Sequence, residues 1–122
     1  MRVPWNEDEA IIIVDAFYQY KNGIIKKNDA IKSVSARLRE MAIKKGLEID
    51  DVYRNGNGIT MQMATLEHIF SNGEKGVRSG SKLFRDTMQL YVEKYAEFEL
   101  NKERIMCEAM KERLSNFIRS EF

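Results

Sequence analysis

With 122 residues, 43% of them hydrophobic and 32% charged, the chain has material for one packed domain, taken as 1–122. One proline and seven glycines exclude a turn-dense all-β architecture and a disordered tract, and no apolar run reaches the roughly 18 residues of a membrane span. The start MRVPWNEDEA lacks the apolar stretch of a secretory signal, and a lone cysteine, Cys107, excludes an internal disulfide; both fit a cytoplasmic protein.

Asn6 with Glu9 three residues later reads as a capping-box helix start. The first helix is expected to run to about Tyr20, ahead of Asn22-Gly23, with Trp5, Ile12, Ile13, Phe17 and Tyr20 on its buried side. Its run IIIV, residues 11 to 14, is equally β-prone, so caps and flanks decide for helix. Asn28 is the expected cap of a second helix that ends near Lys45, with Gly46 as its stop. Ala30, Ile31, Val34, Leu38, Met41 and Ala42 share one face of it; Lys32, Arg39 and Lys44 lie on or beside the other, with Arg37 at the edge.

After the linker LEIDDVYRNGNG, a third helix is expected from Asn57 or Gly58. Ile59, Met63, Leu66 and Phe70 form its apolar stripe, while Thr60, Met61, Ala64, Thr65 and His68 make a small, uncharged opposite side. A helix facing only water carries Lys and Glu there, so this one is expected to be covered on both sides. Residues 73–82 form a basic Gly/Ser loop, and Ser81 is the expected cap of a fourth helix. Residues 83–120 then read as one long helix or two shorter ones, with Phe98, Ile105, Ala109, Leu114, Phe117 and Ile118 apolar. The expected fold class is all-α: a three-helix, helix-turn-helix-like core over 1–72 plus the C-terminal helical region.

One histidine and one cysteine cannot build a zinc cluster or a supported nucleophile pair. Asp50-Asp51 is a solvated turn sooner than a metal site, and the glycines match neither a P-loop nor a dinucleotide fingerprint. No catalytic residue, metal or cofactor is expected. Binding chemistry is better supplied, because the net charge of +1 hides a basic middle: residues 23–80 hold ten basic and seven acidic side chains. If the third helix enters a DNA major groove, Arg54, Asn55, Asn57, Thr60, Met61, Ala64, Thr65 and His68 face bases or phosphates at its N-terminal part. Lys26, Lys27, Lys32, Arg37, Arg39, Lys75, Arg78 and Lys82 then contact flanking phosphates. A plainer reading uses the same residues: Asn and Gly form a turn and cap, and Arg54 pairs with Asp50 or Asp51. A rival function rests on Leu114, Phe117, Ile118 and Phe122, an apolar patch suited to protein interaction or dimerisation.

The segments WNEDEA, SARLR and YRNGNGITMQM, in that order, resemble the helical domain found N-terminal to HNH-type restriction endonucleases. That family has a tryptophan-glutamate start, a Ser-x-x-Leu segment, and an Arg-Asn-x-Asn-x-hydrophobic motif leading into a helix. The resemblance covers most of residues 5–95, and RNGNGITMQM is its most specific part. A weaker likeness is to Myb/SANT three-helix modules. The resemblance implies recognition of double-stranded DNA in a restriction or defence system, with Arg54, Asn55 and Asn57 at the motif positions. The HNH nuclease part is missing, so a nuclease partner domain or a relative without catalysis is implied.

Overall fold

The computed structural model describes residues 3–76 and 82–121. Its five helices are α1 (Glu7–Lys21), α2 (Lys27–Lys44), α3 (Gly56–Phe70), α4 (Lys82–Glu93) and α5 (Tyr95–Glu121), with no strand among the described residues. α1 is the hub and packs against each of the other four, whereas α5 meets α2 through side chains, Arg37 with Met106 and Arg113 with Glu40.

The start of α1 matches its sequence signature. The Asn6 side chain accepts from the Glu9 N–H at 2.9 Å, and the Glu9 carboxylate accepts from the Asn6 N–H at 3.2 Å. The IIIV run is helical because of where it sits. Each β-branched residue costs less than about 0.7 kcal/mol in helix propensity, whereas full burial contributes about 1.5–3 kcal/mol. Ile11, Ile12, Ile13 and Val14 are all buried, so tertiary packing decides.

Other boundaries differ from expectation. α2 starts at Lys27 with Lys26 as an N-cap that makes no side-chain bond, so Asn28 is inside the helix and not its cap. Gly46 does end α2: its φ of +83° suits glycine, and the Leu47 N–H donates to the Ala42 carbonyl at 3.1 Å. α3 begins at Gly56, capped by Asn55, whose side chain accepts from the Gly58 N–H at 2.9 Å. The C-terminal region is two helices, parted at Lys94. Ser81, Arg78 and Phe122 lie outside the described residues.

An aromatic chain ties α3 and the C-terminal helices to the hub. Tyr18 stacks on Tyr91 at 3.8 Å, Tyr91 meets Phe98 edge-on at 5.0 Å, and Phe17 meets Phe70 at 5.7 Å. Phe17, Phe84 and Phe98 are fully buried with Leu38, Ile59, Met63 and Leu66. Burial, with the neighbouring Glu67, pushes the Tyr20 phenol up to about 12.

Candidate functional site

The turn before α3 is held from within. Arg54 has a φ of +46°, a left-handed conformation unusual for a side chain of its size. Its Nε donates to Glu9 Oε2 at 2.8 Å and its Nη2 to Glu9 Oε1 at 3.1 Å. Nη2 also donates to the Val3 and Pro4 carbonyls, each at 3.1 Å, and the guanidinium lies 3.8 Å from the centre of the Trp5 ring. Both charged side chains are nearly buried, at 8% and 5% exposure. Arg54, expected to meet DNA, is engaged inside the molecule, and its expected pairing with Asp50 or Asp51 is corrected: its partner is Glu9, 45 residues earlier.

Neighbouring side chains fix the same turn. Ser35 Oγ donates to the Arg54 carbonyl at 2.6 Å, and Arg39 donates to the carbonyls of Asp50 and Tyr53 at 3.0 and 2.5 Å. The Asp50 carboxylate accepts from the N–H groups of Val52 and Tyr53. Burial raises the pKa of the Tyr53 phenol, with the Arg54 charge opposing it.

The predicted reading face of α3 is divided. Asn57, Thr60 and Met61 are exposed, although the Thr60 hydroxyl is bonded to the Gly56 carbonyl at 2.7 Å. Thr65 is buried and bonded to the Met61 carbonyl, which removes it from any outside partner. Ala64 and His68 are half-buried where the 71–76 turn folds back on the helix. A Cβ on Gly76 would stand 2.2 Å from the Ala64 carbonyl oxygen and 2.7 Å from the His68 nitrogen. Only glycine permits that approach.

The cations are likewise divided. Lys26, Lys27 and Lys32 are exposed, and Gly56 lies close to Ile31, so the first turns of α2 flank the start of α3. Lys75 is exposed, and Lys82 is exposed beside Asp86. Arg37 contacts the Met106 thioether and Arg39 holds the linker carbonyls, so neither stands ready for a phosphate.

The structure brings together a second surface that sequence reasoning found only in part. α5 is anchored by buried Phe98 and Ile105, by Lys102 with Asp15 at 3.2 Å, and by Arg104 with Asp8 at 2.9 Å. On its outer side, residues 96, 100, 103, 107, 110, 114 and 117 are all exposed. Their spacing alternates four and three, a heptad seam. Leu100 and Met110 are each 67% exposed, Leu114 60%, Phe117 61% and the adjacent Ile118 48%. The alternating spacing was present in the sequence, but the inward residues Phe98, Ile105 and Ala109 interleave with it and hid it. Between α2 and α5 runs a groove of about 200 Å³, with Met41, Ile105 and Ala109 among its lining and Arg37, Glu40 and Arg113 beside them.

Among the described residues no group of three or more His, Cys, Asp or Glu is placed to hold a metal, and no helix is long and apolar enough to cross a membrane. Comparison with protein-family profiles, with characterised proteins and with solved structures gave no match to this chain.

Two predictions test these arrangements. Arg54→Ala leaves the Glu9 carboxylate buried without its partner and should destabilise the fold by about 3–5 kcal/mol. In urea titrations the Glu9→Ala/Arg54→Ala double variant should lose less than the sum of the single variants. Gly76→Ala, strained at φ +80° and short of space, should lift the 71–76 turn and speed amide exchange at residues 64–68, leaving exchange in α1 unchanged.

Proposed function

We propose that the chain is a non-catalytic helical protein-interaction or oligomerisation module whose binding surface is the outer side of α5. The observation that carries this reading is the row of large apolar side chains held at the surface of one long helix: Leu100, Met110, Leu114 and Phe117, each at least 60% exposed. Burying such a side chain contributes about 1.5–3 kcal/mol, and isolated exposed leucines are ordinary whereas an aligned set marks an interface. Helix-in-groove and helix-on-helix pairing use this spacing of anchors. The exposed thiol of Cys107 on the same side suits work in a reducing cytoplasm. A photo-crosslinking residue placed at Leu114 in the producing cell should form protein adducts, while the same residue at exposed Ile24 should form few. An adduct-free Leu114 would count decisively against this surface.

A second reading, recognition of double-stranded DNA in a restriction or defence system, retains one supporting observation. The first turn of α3 carries no acidic residue, exposes Asn57, Thr60 and Met61, and lies beside exposed Lys26, Lys27 and Lys32. A helix N-terminus with nearby cations suits phosphate. Against it stand the internal engagement of Arg54 and the 71–76 turn over Ala64 and His68. The link between α2 and α3, residues 45–55, also exceeds the turn of about 3–4 residues in a helix-turn-helix. Fluorescence anisotropy with duplex DNA at about 50 mM salt should detect binding that weakens steeply with added salt and is reduced in Lys27→Glu/Lys32→Glu. No binding at low salt would remove this reading.

A further inference from the structure

The outer side of α5 is charge-polarised as well as apolar, and this bears on what covers it. With Leu100, Cys107 and Leu114 at a positions of the heptad and Ala96, Glu103, Met110 and Phe117 at d, the residues bordering the N-terminal part of the seam include Glu97 and Glu99. Those bordering its C-terminal part include Lys111 and Arg113, the latter 3.9 Å from the half-exposed Glu40 of α2. All but Glu99 of these four are exposed, and Glu99 is half-buried beside Lys102 and the Tyr95 hydroxyl.

We propose that the occupant is a second copy of this chain, its α5 antiparallel to the first across a two-fold axis. The inference rests on the protein-interaction reading and specifies its partner. In the register that sets Leu100 against the partner's Met110, a and d positions alternate across the interface. Ala96 then faces the partner's Leu114, and Glu103 faces the partner's Cys107. The same register places Glu97 beside the partner's Lys111 and Glu99 beside the partner's Arg113. By symmetry each pairing occurs twice, as a closed isologous contact requires. It also brings the two Arg104 side chains near the axis, where each already carries Asp8 as a counter-charge at 2.9 Å.

The parallel alternative is poorer. It sets Glu99 beside the partner's Arg104, but it stacks Glu103 on the partner's Glu103 in the seam, a like-charge layer, and leaves Lys111 and Arg113 facing Met106 and Ile118 of the partner subunit. α1 and α4 pack against α5, whose Phe98 and Ile105 belong to the buried core, whereas the seam residues stay exposed.

Sedimentation equilibrium of the full chain under reducing conditions should find a dimer that dissociates on dilution. Glu97→Lys/Glu99→Lys should weaken dimerisation by roughly tenfold or more, and so should Lys111→Glu/Arg113→Glu. An equimolar mixture of these two variants should regain association as a heterodimer, since each then offers the charges the other lacks. Circular dichroism and thermal midpoints close to wild type would show both variants folded, and Leu114→Glu provides an independent disruption of the seam. A dimer without rescue in the mixture, or one readily locked by a Cys107–Cys107 disulfide, overturns the antiparallel arrangement. A monomer at every concentration overturns self-pairing. In that case adducts from Leu114 to a different protein leave the interaction surface standing, whereas the lack of any adduct removes it too.

Discussion

The paired side chains of Glu9 and Arg54 set the constraint on which the rest of the structure depends. Two charges placed at 5% and 8% exposure are tolerable only when their hydrogen-bonding capacity is filled. Glu9 completes the cap of α1 and receives two guanidinium bonds; Arg54 adds the Val3 and Pro4 carbonyls and the face of Trp5. One pair therefore fixes the entry to the hub helix, the segment ahead of it and the entry to α3. The left-handed backbone at Arg54 is held by this set of contacts, which over-determines its position.

This explains why a motif suggestive of DNA reading has an internal job. WNEDEA and YRNGNG, the two segments behind the family resemblance, meet in space: Trp5 and Glu9 from the first enclose Arg54 from the second. Glycine and asparagine at the α3 entrance serve the turn and cap. Lys26, Lys27 and Lys32 remain at the surface beside it, so an anionic partner would meet lysines and the start of a helix, without the arginine fork that reads base edges.

Local signals were legible where local chemistry decides. The Asn6–Glu9 capping box and the Gly46 stop are short-range hydrogen-bond and φ requirements, and both appear in the structure. The apolar face of α2 was equally readable from period alone: Ala30, Val34, Leu38 and Ala42 are buried. What depended on distant partners was not. Nothing near Arg54 announces Glu9, because the two are 45 positions apart and Asp50 and Asp51 are nearer. Asn28 reads as a cap by type, yet the chain enters α2 two residues earlier, with Lys26 at the cap position. In α5 two apolar periodicities overlap, one for the body and one for the outer seam, and only packing separates Phe98 and Ile105 from Leu100 and Met110.

The clamps at the root of α5 give its distal part a mechanical character. Beyond Ile105 the helix continues for 16 residues, roughly 24 Å at 1.5 Å per residue. Lys102 on Asp15 and Arg104 on Asp8 fasten that root to α1 at two points about two turns apart along the hub. Arg37 at Met106 and Arg113 at Glu40 add lateral ties to α2, so a load at the tip divides between α2 and α1, the helix touching all the others.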